Sequence, residues 1–474
     1  MVSAGSRSRS GLSRIRPFPV GPSTIEDMWN RRDPDSLALV DDDDTWTTRA
    51  LQEECERVAR NLVALGTTGL PIAWHLDDDL EAVIAFFATI HAGAIWVGLS
   101  PRATDAERRA IIDDARPAVV LDTLPSGDVG GPSPPWPEPG QLSALAYTSG
   151  TTGRPKAAEH IHQQLLYPAA AAIATEDLDT DDRVATPLAL STLNIMLLGP
   201  VTALACGGTA VLVNGGDAAG FAEHVQRHHV TRALVVPTIV HDLVAAGVDP
   251  VLLRSLDRLI MGGSGIDQER AMAAQRALGV PLVASYGLSE APTGVARMQI
   301  GDSGARSLPG IDLQVEPDGE ITLAPTNEGP WANTWHAAQG YRGQPALSAD
   351  LWREGRLRTG DAGTLDANGL LRVAGRVSDM INRGGATIAP AEVEAALLAI
   401  DGVRDVAVFG LDDDRLGQIV AAAVVGTVDT AELAVDARAS LSGYKVPVRW
   451  LVLPELPRTA LGKVDRRALR AQLA

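Results

Sequence analysis

Three lysines stand among the 41 basic side chains of this 474-residue sequence, and the rest are arginines. Arginine presents a planar fork and lysine a compact charge on a flexible stem, so a chain that relies on arginine marks its lysines as places where a mobile cation matters. Lys156 ends the run YTSGTTGRPK at residues 147–156, directly after an apolar, strand-like stretch. Gly150 and Gly153 permit positive φ and close backbone approach, while Thr148, Ser149, Thr151 and Thr152 offer hydroxyls and amides. With the Lys156 ammonium, these groups suit the binding of phosphate. The run is not a Walker loop, because Arg154 and Pro155 separate Gly153 from Lys156. Lys463 lies beside Gly462 in PRTALGKVDRR at 457–467, and Lys445 in GYKVP at 443–447.

The elements around these residues follow from periodicity. Leu51, Cys55, Val58, Leu62 and Leu65 share one face of a helix expected over 47–65, with Gly66 suited to its end. Residues 82–99 are apolar apart from Thr89 and His91, the lower limit for a membrane span. Gly93 and Gly98 favour instead a buried helix ending near His91, a turn, and a strand over 94–99. The alternation continues through a helix over 104–115 and a strand AVVL at 118–121, then a Pro/Gly-rich connection over 127–140. A second round runs through LSALAYTS, TAVLV, RALVVP, RLIMGG and PLVASYG, predicting parallel sheet. Short alternating runs with DG and NG turns over 309–374 predict a small β unit. After Gly375 a further α+β domain is expected, with helices over 390–400 and 430–441 and strands VRDVAVFGL, IVAAAVV and VRWLVL.

In order along nearly the whole chain stand GAIWVGLSPRAT at 93–104, YTSGTTGRPK, GGSG at 262–265, SYGLSE at 285–290, RTGD at 358–361, GRVSDMINRGG at 375–385 and PRTALGKVDRR. With these motifs the sequence resembles the adenylate-forming superfamily of acyl-CoA synthetases, peptide-synthetase adenylation domains and luciferases, and most of all an acyl-CoA synthetase. The resemblance implies an α/β fold: a large N-terminal domain of two α/β layers plus the small β unit over 18–376, and a smaller, mobile α+β domain over 377–474. It implies Mg2+-ATP and coenzyme A as cosubstrates. Glu290 would hold magnesium, Thr148 and Ser289 would meet phosphate, and Gly262, Gly263, Ser264, Ser285, Tyr286 and Gly287 would surround adenine or substrate. Asp361 would accept the ribose hydroxyls with Arg376 assisting, and Asp379 would be the hinge. One orientation of the small domain would present Lys463 for adenylation, the other Gly384 and Gly385 for thioester formation. Taken locally, Glu290 also reads as a helix-cap carboxylate, Asp361 as a turn aspartate and Asp379 as part of a plain linker.

The chemistry gives Lys463 a purpose. A carboxylate attacking the α-phosphate of ATP brings two anions together, and an ammonium can bridge the converging oxygens. Lys445 reads as a surface charge or a contact for a CoA phosphate. By the resemblance, the acyl pocket draws on 187–194, 238–241, 262–264 and 285–293, including Leu190, Asn194, Thr238, His241, Gly263 and Ala291. No acid occurs in PLALSTLN at 187–194, where amino-acid-activating relatives place one for the α-amine, and Leu190 replaces a histidine common in acyl and aryl ligases. Burying an unpaired ammonium is costly, so a neutral, largely apolar carboxylic acid is expected. Ala386, Thr387 and Asn382 depart from the residues usual around the thiol-transfer glycines. A carrier-protein pantetheine remains the alternative acceptor, and a luciferase-type oxygenase or a catalytically degenerate nucleotide-binding protein are more distant readings.

Composition narrows the partners. Fifty-nine acidic residues against 41 basic give a net charge of −18, which argues against nucleic-acid or anionic-membrane surfaces. Two cysteines suit a reducing cytoplasm. The Arg/Ser-rich residues 1–17 read as a disordered extension, since no apolar signal core follows them.

Overall fold

The computed structural model describes residues 24–148, 155–213, 216–262, 268–384, 386–458 and 464–473. The expected N-terminal extension lies outside them. Packing divides the chain into two compact units, residues 1–312 with 323–357, and 313–322 with 358–474. The second unit therefore takes in part of the expected β unit. Strand Leu371–Arg376 pairs antiparallel with Arg356–Leu365, and helix Pro390–Leu398 packs on it, so residues on both sides of the expected 376/377 boundary share one packed body.

In the first unit the two expected α/β layers are two sheets. One has nine strands, with Leu282–Leu288, Arg258–Gly262, Arg232–Val235, Arg183–Thr186, Thr209–Leu212 and Leu37–Val40 as successive parallel neighbours. Antiparallel strands close both of its edges, Thr45–Thr47 beyond Leu37–Val40, and Thr293–Gln299 followed by Arg306–Ser307 beyond Leu282–Leu288. The other runs Val119–Leu121, Pro71–Trp74, Ile95–Gly98, Leu142–Thr148 and Lys156–Ile161, the last pair antiparallel.

Local chemistry explains the helices that join them. The Thr47 hydroxyl accepts a hydrogen bond from the Ala50 amide and starts helix Thr48–Ala64, which buries Leu51, Cys55, Val58 and Leu62. Leu65, expected on that face, is instead 57% exposed, because the helix stops at Ala64 and the chain turns out at Gly66. The apolar run resolves as sequence predicts into helix Asp79–His91 and strand Ile95–Gly98. Among the described residues no helix is long and apolar enough to cross a membrane. Helix Asp79–His91 carries Phe86 and Phe87, both fully buried, edge-to-face with Trp96 and Trp29. Each such ring contributes roughly 1.5–3 kcal/mol by burial.

One ionic cluster stands inside this apolar unit. Glu176 accepts from Arg232 Nε at 2.7 Å and from Arg297 Nη1, and all three side chains are no more than 3% exposed. Burial alone would push the Glu176 carboxyl up, but the two guanidinium groups outweigh it and hold it well below the usual carboxylate range. The cluster joins the end of helix Tyr167–Glu176 to two strands of the nine-stranded sheet.

The second unit holds the long hairpin of Val403–Asp413 and Gly417–Gly426, flanked by Ile381–Arg383 and Arg449–Leu453. Ile388, Val393, Leu397, Val408, Val424 and Leu433 fill its core. Lys445 pairs with Glu392 and lies 5.8 Å from the Tyr444 ring centroid, which makes it a tie between the chain entering the last strand and helix Pro390–Leu398.

Replacing Glu176 by Gln leaves two buried guanidinium groups without a counter-charge. Breaking a buried pair in this way costs about 3–5 kcal/mol, and chemical denaturation of Glu176→Gln should show a loss of that order.

Candidate active site

The glycine-rich loop lies between two antiparallel strands rather than between a strand and a helix. Thr148 and Lys156 are register partners at the ends of Leu142–Thr148 and Lys156–Ile161, so the hairpin fixes the two ends of the loop. Residues 149–154, and with them Ser149, Gly150, Thr151, Thr152 and Gly153, lie outside the described residues. The Lys156 ammonium stands 5.5 Å from the centroid of the Tyr341 ring. The Tyr341 hydroxyl donates to Glu290 Oε1 at 2.6 Å. Lys156 and Glu290, which the resemblance assigns to the phosphate and magnesium site, are thus joined through the Tyr341 ring and hydroxyl in one chain of contacts.

Glu290 owes its place to a second hairpin. SYGLSE is not a strand followed by a helix: Ser285, Tyr286 and Gly287 lie within strand Leu282–Leu288, and Ser289 and Glu290 begin the turn to Thr293–Gln299. A helix-cap role for Glu290 is therefore ruled out. The turn is fastened on two sides. Buried His160, from the Lys156–Ile161 strand, donates through Nε2 to the Ser289 carbonyl at 2.8 Å, and the Ala338 amide donates to the Glu290 carbonyl at 2.7 Å. Burial, only partly offset by that hydrogen bond, pushes His160 down to about 4 and keeps it neutral at physiological pH.

An irregular strap over 337–342 completes the assembly. Gln339 donates its amide to the Glu159 carbonyl at 2.8 Å, Glu159 donates to Gly340 at 3.0 Å, and Arg342 donates to Ala157 at 2.9 Å. The strap thus runs beside the strand that carries Lys156 and delivers Tyr341 to Glu290. Tyr341, His160 and this strap escaped the sequence reading. The one local signal was an aromatic residue in the glycine-flanked run GYRG.

Glu290 is half-buried, and among the described residues its Oε2 has no protein partner. Magnesium takes one or two carboxylates and fills its octahedron with phosphate oxygens and water, so this single oxygen fits the ion.

The second unit presents Asp361 and Arg376 together. They are register partners, and Arg376 Nε lies 2.9 Å from Asp361 Oδ1. The Asp361 amide donates to the Thr359 hydroxyl, which itself donates to the Ile321 carbonyl. Gly360 takes φ of +69°, and its amide donates to buried Glu320, which also receives Arg358 at 2.9 Å. Asp361 thus lies buried within strand Arg356–Leu365, which excludes its local reading as a turn aspartate. Asp379 ends a short 3-10 turn, Val377–Asp379. Gly384 has φ of +57° and donates its amide to the Leu416 carbonyl. Gly385 and Lys463 lie outside the described residues. Beside Lys463, Val464 bridges to Arg458 and the Asp465 amide donates to the Pro457 carbonyl, so the flanks of residues 459–463 are anchored to one another.

The expected acyl residues are spread more widely. Ala291 is fully buried and Asn194 half-buried, while Gly263 and Ser264 lie outside the described residues and Gly262 ends strand Arg258–Gly262. Leu190 belongs to the apolar core, where a leucine gains most by burial. Thr238 and His241 occupy the exposed side of helix Pro237–Ala245, and His241 contacts its own neighbour Asp242. Gly98 admits the 187–194 segment to the strand edge, for a Cβ there would fall 2.0 Å from the Ser191 carbonyl oxygen. Just beyond, the side-chain oxygens of Ser191 and Asn194 are buried without a partner among the described residues.

Comparison with known proteins shows the family. The model of the AMP-binding enzyme family matches residues 27–130 and 122–329, and that of the AMP-binding enzyme C-terminal domain matches 392–463. The chain belongs to the AMP-binding enzyme family. It is 29% identical to the 2-succinylbenzoate–CoA ligase of Bacillus pumilus over 93% of this chain and 96% of that one. It is 30% identical to the indoleacetate–CoA ligase of Aromatoleum aromaticum over 88% and 91%. The structure of o-succinylbenzoate CoA synthetase from Bacillus subtilis with its acyl-adenylate intermediate superimposes with a TM-score of 0.83 at 25% identity, covering 96% and 98% of the two chains.

The Tyr341 hydroxyl should steady Glu290 without touching the reacting atoms. A hydrogen bond to a charged acceptor is worth about 1.5–3 kcal/mol, so Tyr341→Phe should weaken Mg2+-ATP use roughly 10- to 100-fold. Steady-state pyrophosphate release at varied Mg2+-ATP checks this, and Glu290→Gln should lose at least as much.

Proposed function

We propose that this enzyme activates a neutral, largely apolar carboxylic acid and passes it to the thiol of coenzyme A. It is an AMP-forming acid–thiol ligase. In the first half-reaction a carboxylate oxygen attacks the α-phosphorus of ATP, the bond to pyrophosphate breaks, and an acyl-adenylate forms. In the second, the thiol sulfur attacks the acyl carbon, its proton passes to solvent, and AMP leaves with the former carboxylate oxygen. The contact of Lys156, Tyr341 and Glu290 beside the glycine-rich loop is the observation that carries this reading.

The roles are those that the resemblance to adenylate-forming enzymes implies. Thr148, Ser149, Gly150, Thr151, Thr152, Gly153 and Lys156 cradle the phosphates, with Ser289 close to Glu290. Glu290 holds Mg2+, which when bound neutralises phosphate charge. Gly262, Gly263, Ser264, Ser285, Tyr286 and Gly287 line the adenine and acyl side, and Asp361 with Arg376 receives the ribose. Lys463 is brought to the carboxylate and α-phosphate by rotation of the small domain at Asp379, after which Gly384 and Gly385 approach the pantetheine. The pairing of Asp361 with Arg376 supports the ribose role, because the arginine holds the carboxylate in place as an acceptor for hydroxyls.

For the acid, the evidence is compositional and local. No carboxylate in 187–194 could pair with an α-ammonium. The oxygens of Ser191 and Asn194, buried without a partner among the described residues, favour an acid with at least one hydrogen-bonding group over a plain hydrocarbon chain. Both relatives described above are named for acids that carry an aromatic ring, so aryl acids are the first to try. Cys55 and Cys206 are unpaired, which supports a cytoplasmic setting.

Pyrophosphate release across aliphatic, alicyclic, aryl and amino acids tests the acid, and thioester yield with CoA against a pantetheinylated carrier protein tests the acceptor. Release with apolar acids and transfer to CoA are expected. Release with amino acids alone, or thioester on the carrier alone, contradicts the reading. Lys463→Ala should slow adenylate formation at least about 10²-fold, as loss of one preorganised oxyanion donor does. Unchanged acyl-AMP formation in that variant would remove Lys463 from the mechanism.

A further inference from the structure

Three side chains that take no part in the site above converge at one edge of the nine-stranded sheet. Asp42 lies in the turn between Leu37–Val40 and the edge strand Thr45–Thr47, while His224 and His228 lie on helix Ala218–His228. The spacing of four places both imidazoles on one helical face. His224 Nδ1 is 3.3 Å from Asp42 Oδ1, and His228 Nε2 is 3.2 Å from the same oxygen. One nitrogen from each imidazole and a carboxylate oxygen of Asp42 lie mutually within 4.8 Å.

We propose that Asp42, His224 and His228 form a binding site for a divalent transition metal, zinc being the ion their chemistry fits best. Zinc bonds imidazole nitrogen and carboxylate oxygen at about 2.0–2.2 Å, and tetrahedral ligands at that distance stand about 3.3 Å apart. The two separations to Asp42 match this spacing. Two imidazoles and one carboxylate leave a fourth position for water, and the partial exposure of Asp42, 42% at the side chain, gives solvent a way in.

The hydrogen bonding of His224 supplies an independent reason. Its Nε2 lies 2.8 Å from the Leu212 carbonyl oxygen, which can only accept, so Nε2 carries the proton. In the neutral ring, Nδ1 is then a lone pair facing a carboxylate oxygen. Two acceptors set 3.3 Å apart call for a cation. A carbonyl accepting from the far nitrogen is also the arrangement that orients metal-binding histidines. Arg227, whose Nη1 is 2.6 Å from Asp42 Oδ1, competes for the carboxylate, yet its side chain is 58% exposed and can swing into solvent.

A metal here would pin the edge hairpin to the helix and leave the catalytic chemistry alone. The test uses the full chain, stripped with chelator and titrated with Zn2+ by calorimetry. It is then loaded with Co2+, whose visible absorption reports tetrahedral coordination. One equivalent per chain, a raised Tm and a tetrahedral cobalt spectrum are expected. Asp42→Asn and His228→Gln should each weaken binding at least about tenfold, the scale on which even residues supporting a ligand matter, while exposed His229→Gln should not. Circular dichroism of Asp42→Asn, a substitution at the exposed ligand, separates lost binding from lost fold. No stoichiometric uptake by the wild-type chain, or uptake unchanged in Asp42→Asn and His228→Gln, would overturn the proposal.

Discussion

The hydrogen bond from Tyr341 to Glu290 joins three stretches of chain that are distant in sequence: the hairpin turn that carries Glu290, the strap that carries Tyr341, and the strand that begins at Lys156. Each stretch alone is ordinary. Together they place a fixed carboxylate and a mobile ammonium beside a loop rich in hydroxyls and amides, in a chain whose net charge is −18. Such a chain repels a triphosphate at long range, so attraction has to be built locally from loop donors, one lysine and whatever cation the carboxylate holds. His160, kept neutral by burial and anchoring the Ser289 carbonyl, belongs to the same construction, because it fixes the turn that carries Glu290.

Rigid elements keep that assembly in place. The glycine-rich loop is held by an antiparallel strand pair, which gives it fixed ends without the positive end of a helix behind it. Any capacity for anions must therefore come from loop amides and hydroxyls and from Lys156, which is consistent with four Ser and Thr residues in the ten positions 147–156. Farther off, the buried cluster of Glu176, Arg232 and Arg297 fastens a helix end to two strands of the sheet that supplies the Glu290 turn. Its polar groups are costly to bury singly and tolerable only as a set. In the second unit, Glu320 performs a similar service for Asp361 by fixing Arg358 and the Gly360 amide.

Much of the fold could be read in the sequence, and the reason differs by element. Helix Thr48–Ala64 announces itself through a hydroxyl cap and an apolar face at spacings of three and four, and the division of residues 82–99 into helix and strand follows from Gly93. The parallel strands are short apolar runs at regular intervals, which periodicity detects. Pairing between distant strands is a different matter. That Lys156 begins a hairpin strand, and that SYGLSE runs into a hairpin turn, depends on contacts no local pattern encodes. The strap over 337–342 has neither helical nor strand periodicity, so Tyr341 could be recognised only once its partner was in view. The ordered motifs singled out Glu290, Lys156, Asp361 and Arg376 through the resemblance they carry, and the structure pairs Asp361 with Arg376 and sets Lys156 and Glu290 on either side of Tyr341. Pocket residues are chosen by shape, and Leu190 in the core and His241 on an open helix face show how little shape the sequence carries.

The account stands on the acid attacking the α-phosphorus of ATP, and an oxygen isotope follows that atom directly. When both carboxylate oxygens of a turned-over acid are 18O, one labelled oxygen should appear in AMP after thioester formation, because the acyl-adenylate is cleaved on its acyl side. Mass spectrometry of the AMP decides the matter. AMP bearing one 18O is the predicted result. Unlabelled AMP, or the label in inorganic phosphate beside ADP, would contradict activation through an acyl-adenylate.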